Sequence, residues 1–196
     1  MFDYIRDSVL ILASLVGMYV AMSGLNTWKK QLSGNLKHDI AFKLLKSTYV
    51  LRDAVEYVRN PIVTIEEEVL AGGDDVVSDL RDTRKNYINQ SRVYDKRWEK
   101  VTAAINDLNI YVLEAEVTFD IKITVNFALL IDKIGQLRSA IAGNLDSLNP
   151  NIKQWQEYVL EHYPIMYFIY DKDKYRAEFN EIIKNIEKDL KPHLLR

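Results

Sequence analysis

The chain has 196 residues, 48% of them hydrophobic and 28% charged, with a formal net charge of -2. That is material for one substantial core with one appended segment, and it lacks the strongly basic balance that a nucleic-acid-binding surface needs. There is no cysteine, which excludes disulfides, thiolate metal ligands and cysteine nucleophiles together.

Glycine and proline are scarce, at seven and four, and Pro61, Pro150 and Pro164 fall between periodic apolar segments, where they would punctuate helices. The expected fold class is all-α: an N-terminal transmembrane helix followed by an elongated antiparallel helical bundle with coiled-coil-like heptad seams. Residues 1–28 form the expected transmembrane anchor. Residues 29–196 form the cytoplasmic bundle, with a long acidic loop at 61–75.

The first segment, "SVLILASLVGMYVAMSGLNTWKK" from Ser8 to Lys30, carries no charged side chain between Asp7 and Lys29. As a helix, Ser8 to Trp28 extends about 30 Å, the thickness of a bilayer's hydrocarbon core. Apolar residues occur all round it, which the surface helix of a bundle would not tolerate. A wholly buried core helix is the plain structural rival, although such helices are usually shorter.

A cleaved signal is the other rival, since "AMS" at 21–23 offers a small-residue cleavage site. Against it, Asp3 and Asp7 offset Arg6, while lysines follow the apolar run at 29, 30, 37 and 43. Trp28, Lys29 and Lys30 are the expected membrane-interface residues, and the positive-inside rule places the carboxy-terminal body in the cytoplasm of a bacterial inner-membrane, single-pass protein with its N-terminus out. Lys29, Lys30, Lys37, Lys43 and Lys46 together are expected near anionic lipid head groups. Ala13, Gly17 and Ala21 recur every fourth residue and present a small-residue face for helix contact in the membrane.

"QLSGN" at 31–35 offers a joint before a helix, from about 29 or 38, that ends at 59 because Asn60 precedes a proline. The stretch Pro61–Asp75 holds five carboxylates and no basic residue, with a short helix expected at Ile65 to Ala71. Glu66, Glu67, Glu68, Asp74 and Asp75 are the candidate surface for a cytoplasmic protein partner; a solvated loop is the plainer reading. The strongest periodicity follows: Val77, Leu80, Arg84, Tyr87, Ser91, Tyr94, Trp98, Val101, Ile105, Leu108, Val112, Ala115 and Phe119 alternate by three and four.

A further helix is expected over about Lys122–Leu148, with Phe127, Leu130, Ile134, Leu137 and Ile141 on its seam. "NPN" at 149–151 stops it. A short helix carrying Trp155, Val159 and His162 then leads to the aromatic run "YPIMYFIY" at 163–170, read as a core connector. A last helix spans about Asp173–Lys191, with Phe179, Ile182, Ile183, Ile186 and Leu190 inward. Short connections imply antiparallel neighbours.

No Gly-rich phosphate loop, nucleophile motif or zinc-binding histidine pair is present, so no catalytic residue, cofactor or metal ligand is assigned. Glu114 and Glu116 in "LEAE" suggest the inward carboxylates of di-metal bundles, but His38, His162 and His193 lack a glutamate three residues before them. These glutamates are surface charges, or one pairs with a buried arginine such as Arg52 or Arg84. The basic, aromatic-laced stretch Arg81–Lys100 is read as a solvated face beside a core stripe rather than a contact for nucleic acid.

The segment "LNTWKKQLSGNLKHDIAFKLLKSTYVLRDAVEYVRNP", Leu25 to Pro61, together with "LEAE", resembles a family of small bacterial proteins. Those have an amino-terminal span, a tryptophan followed by basic residues, and a helix ending in Arg-Asn-Pro. The resemblance covers about a quarter of the chain and implies a bacterial membrane-anchored helical protein with no activity attached. The expected function is a non-catalytic, self-associating scaffold, sensor or adaptor whose partners are the lipid bilayer and further copies of itself. A membrane effector acting through clustered spans and a helical-bundle metalloenzyme are the alternatives. A reporter fused to the carboxy terminus is expected to signal from the cytoplasm, and a periplasmic signal would reverse the orientation.

Overall fold

The computed structural model describes residues 2–72, 83–119, 122–149, 163–167 and 173–194, with side chains in the first helix described at residue 10 and from residue 12 onward. Trp155, Val159 and His162, the acidic pair Asp74 and Asp75, and the seam positions Val77 and Leu80 lie outside the described residues. Within them the chain is all-helical: α1 (Phe2–Val58), α2 (Ile65–Leu70), α3 (Thr83–Thr118), α4 (Lys122–Leu148) and α5 (Lys174–Leu194).

The long helices close a ring in which α1 packs on α3 and α5, and α4 packs on the same two helices from the opposite side. Cross-links fix their directions. Lys43 stands over the Tyr111 ring and Lys100 over the Tyr57 ring, so α1 and α3 are antiparallel. Tyr49 donates to Glu187 at 2.9 Å and Arg176 to Glu56 at 3.0 Å, which makes α5 antiparallel to α1 as well. Asn126 donates to Asp189 at 2.7 Å, and Lys133 pairs with Glu178. The result is an up-down-up-down four-helix bundle in which only α3 and α4 follow one another closely, Thr118 to Lys122.

Each helix buries the stripe that its apolar spacing dictates. Leu44, Leu51, Val55 and Val58 of α1 meet Val101, Leu108 and Ala115 of α3, Leu130, Ile134 and Leu137 of α4, and Phe179, Ile183, Ile186 and Leu190 of α5 in one core. On α3 the seam is turned slightly from its expected position. Arg97 and Ala104 are buried, whereas Trp98 and Ile105, one residue on, pack only partly against the core. The reason is local: Trp98 lies at the α4 side under the Arg138 guanidinium, 5.6 Å from its ring, and Arg97 takes the inward place because it has acceptors there.

Two expectations change. The joint at 31–35 does not form: α1 runs through Gly34 without a break, and Gly34 has ordinary helical geometry, since the one described glycine with positive φ is Gly72, at 91°. A single glycine costs a helix about 1 kcal/mol, too little to stop one propagating from the packed stretch beyond residue 40. The described part of the acidic stretch, residues 61–72, is also more than a solvated loop: the short helix expected there forms as Ile65–Leu70 and is fixed at its start. "TIEE" forms a capping box in which Glu67 N–H donates to Thr64 Oγ1 and Thr64 N–H to Glu67 Oε2, both at 3.2 Å.

Two buried arginines hold the end of the bundle where α1 stops. Arg59, 1% exposed, donates to both oxygens of Asp173 at 2.9 Å and to the carbonyls of Pro164, Ile165 and Tyr167. Asp173 in turn accepts from the Arg176 N–H at 2.9 Å and so caps α5. Arg97, 2% exposed, donates to both oxygens of Glu67 and to the carbonyls of Asn60 and Ile62. Irregular backbone leaves carbonyls without helical partners, and the five-donor guanidinium satisfies several at once. Among the described residues no buried side-chain polar atom lacks a partner.

The Arg97 hydrogen bonds, helped by those from Tyr57 and the Thr64 N–H, outweigh burial and hold the Glu67 carboxyl down from 4.5 to about 2. A carboxylate with a depressed folded pKa stabilises the fold fully above about pH 4.5, and that contribution is lost as pH falls toward 2. Glu67→Ala is expected to cost about 3–5 kcal/mol, because it strands the Arg97 charge in the interior. Glu67→Gln should flatten the acid limb of a urea-midpoint profile; an acid limb as steep as that of the wild type would refute this role.

Candidate functional site

Along α1 as far as residue 36, the described side chains are all exposed. Leu10, Leu12, Leu15, Val16, Met18, Tyr19, Val20, Met22, Leu25 and Trp28 are each more than half exposed, on every side of the helix. Burial begins around Lys37 and becomes complete at Ile40. One helix therefore has two environments. Its second half is a bundle element, and its first half is an apolar rod projecting about 50 Å from the bundle at 1.5 Å per residue.

Two hydroxyls on the rod are satisfied along the helix itself. Ser14 Oγ donates to Leu10 O at 2.8 Å and Thr27 Oγ1 to Ser23 O at 3.0 Å. This back-bonding spends hydroxyl donors without water, as a hydrocarbon environment requires. A Cβ added at Gly17, Gly24 or Gly34 would meet nothing within 4 Å. No packing inside the molecule explains these glycines. Ala13, Gly17 and Ala21 lie together on the exposed rod, and Trp28, Lys29 and Lys30 follow at its upper end.

Among the described residues, no helix is long and apolar enough to cross a membrane. The side chains at residues 1–9 and 11, where the uncharged run begins, lie outside the described residues.

The basic residues assigned together to the membrane surface do not share one level. Along α1, Lys43 and Lys46 stand about 22 and 27 Å beyond Trp28, well past a screening length of about 8 Å. Lys43 instead lies 5.7 Å from the Tyr111 ring centroid, inside the reach of the bundle. At the lower end of the bundle His193 packs on Phe119 with ring centroids 4.6 Å apart, and burial, followed by the nearby Lys37 charge, pushes its pKa below the usual value.

The acidic set divides. Glu66 is exposed; Glu67 is committed to Arg97, Tyr57 and the α2 cap; the Glu68 side chain and Asp74 and Asp75 lie outside the described residues. Glu114 and Glu116 both face solvent, and Arg52 pairs with its neighbour Asp53 at 2.8 Å; the Arg84 side chain lies outside the described residues. Among the described residues no three histidine, aspartate or glutamate side chains gather as a metal site would require. The arginines that do enter the core, Arg59 and Arg97, escape hydropathy reasoning. Their signals are indirect: Arg59 precedes Asn-Pro, and Glu67 closes a Thr-x-x-Glu box.

No family model, curated protein or solved structure matches this chain.

Since a Cβ at Gly34 has free space and the backbone there is ordinary helix, Gly34→Ala is expected to stabilise the junction between rod and bundle by about 0.5–1 kcal/mol. Hydrogen exchange of amides around residues 30–38 should slow by about two- to fivefold. Unchanged or faster exchange would mean that the glycine bends α1 in solution.

Proposed function

We propose that the chain is a non-catalytic, membrane-anchored helical scaffold or adaptor, with Ser8–Trp28 crossing a bacterial inner membrane and the four-helix bundle carried on the cytoplasmic side. The observation that supports this reading is the rod itself: apolar on all faces, unpartnered, and continuous with a bundle helix. In water such a rod would expose a large contiguous apolar surface, which soluble monomers avoid. In a bilayer the same surface is solvated, its backbone is satisfied within the helix, and Trp28 with Lys29 and Lys30 takes the interfacial position. The resemblance to small membrane-anchored bacterial proteins points the same way.

The open space at Gly17 and Gly24 favours close helix-to-helix approach within the membrane, so self-association is part of the proposal. It also supports a second reading, an effector whose clustered spans breach the membrane. Loss of membrane potential on expression, abolished by Gly17→Leu, would select that reading over the scaffold.

The anchor is tested by alkaline carbonate extraction of cells expressing the full chain. The wild type is expected to stay in the membrane pellet. Val16→Lys places a charge near mid-bilayer at a cost of about 2.5–3.5 kcal/mol and, combined with Val20→Lys, should release most of the protein. A wild-type chain found in the soluble fraction would overturn the anchor.

A further inference from the structure

Above the rod, one face of the bundle stays unpartnered. Between α1 and α3 runs a groove whose floor is Ser47 and Ala104 and whose walls are Phe42, Lys46 and Val50 on one side and Asp107 on the other. Phe42 and Val50 are 57% and 50% exposed, although both sit beside core positions. The floor is low because its residues are small, and the Ser47 hydroxyl is already spent on the carbonyls of Lys43 and Leu44. Leu36, Lys43 and Val50 recur at intervals of seven, so the open face continues down α1 past the bundle's lower end.

The charges on the two walls have a specific order. Because Lys43 is level with Tyr111 and Tyr57 with Lys100, Lys46 stands about level with Asp107, and both line the groove. Lys46 and Asp107 are exposed and form no ion pair with each other or with any described residue. The α1 wall therefore carries a basic group, and the α3 wall an acidic one, at the same height.

A two-fold axis parallel to the helices exchanges the walls without changing height. It sets the α1 wall of one copy against the α3 wall of the other, Lys46 against the partner's Asp107. Two spans in one bilayer allow only such an axis, along the membrane normal, so this geometry rests on the anchor proposed above. We propose that the α1–α3 groove is the interface of a parallel homodimer, seated on the apolar side chains of Phe42 and Val50 and held in register by reciprocal Lys46–Asp107 pairs. An isologous interface must be self-complementary in charge, and this one is.

The reciprocity gives a test that no contact within one chain can imitate. In a Lys46→Glu homodimer both pairs become acidic against acidic; in Asp107→Lys both become basic against basic. Mixing the two variants restores both pairs, Glu with Lys in one and Lys with Asp in the other. Full-length protein in lipid nanodiscs or mild detergent, followed by native mass spectrometry or light scattering, is expected to be dimeric as wild type. Each single variant should be at least tenfold weaker in association, and their equimolar mixture should form a 1:1 heterodimer. Circular dichroism melts of the single variants should match the wild type, since both positions are exposed.

A monomeric wild type, single variants that dimerise as well as the wild type, or a mixture that stays monomeric would each overturn the interface. Carbonate extraction of the same proteins reports the anchor separately. A wild type that is monomeric yet retained in the membrane would refute the groove and not the span, whereas a wild-type dimer that dissociates from the membrane would do the reverse.

Discussion

Everything in this molecule depends on α1 being one helix. It runs from Phe2 to Val58, and its described side chains are buried only beyond about residue 37. A helix shared between two surroundings must satisfy both with a single 3.6-residue repeat. In the bundle it offers one apolar stripe to the core; below, it is apolar all round. The change in patterning along a continuous backbone marks the boundary, and no turn, glycine kink or linker does.

The far end of the bundle is organised by the opposite kind of interaction. Where α1 stops at Asn60-Pro61, the chain runs irregularly before α2, and before α5 the single helical turn at 163–166 ends with its last carbonyls open. Irregular backbone in contact with a core exposes carbonyls that need donors. Arg59 and Arg97 supply them, and Asp173 and Glu67 neutralise the charge while also capping α5 and α2. Ion pairs buried like this add less net stability than their short distances suggest, because desolvation offsets much of the attraction. Their contribution is geometric: each fixes a connection to a helix terminus at a defined place.

The all-helical fold, α4 and α5 with their core stripes, and the helix stop at Asn60-Pro61 were legible because they rest on spacing and on proline, which act locally. The seam on α3 was legible from Tyr94 onward but slightly misturned, since Trp98 looked like the better core residue than Arg97. Hydropathy ranks arginine as a surface residue; it enters the core here because carbonyls from residues distant in sequence converge on it, and convergence is a property of the fold. Gly34 misled for a related reason. A glycine permits a bend, but whether one forms depends on the helix on either side. Lys43 and Lys46 were grouped with the interfacial lysines by sequence proximity alone, and the continuity of α1 separates them from Trp28 by length.

The unbroken α1 also has a mechanical meaning. A helix resists twisting far better than a loop does, so a turn imposed on its free lower half is delivered, undamped, to the part that is gripped. That grip is firmest at Arg59, whose guanidinium is tied to Asp173 at the start of α5 and to the carbonyls of Pro164, Ile165 and Tyr167 before it. The rod is thus a shaft fixed at its upper bearing, and a rotation by one residue's helical angle, about 100°, would carry Lys46 and Val50 clean off the face they now present.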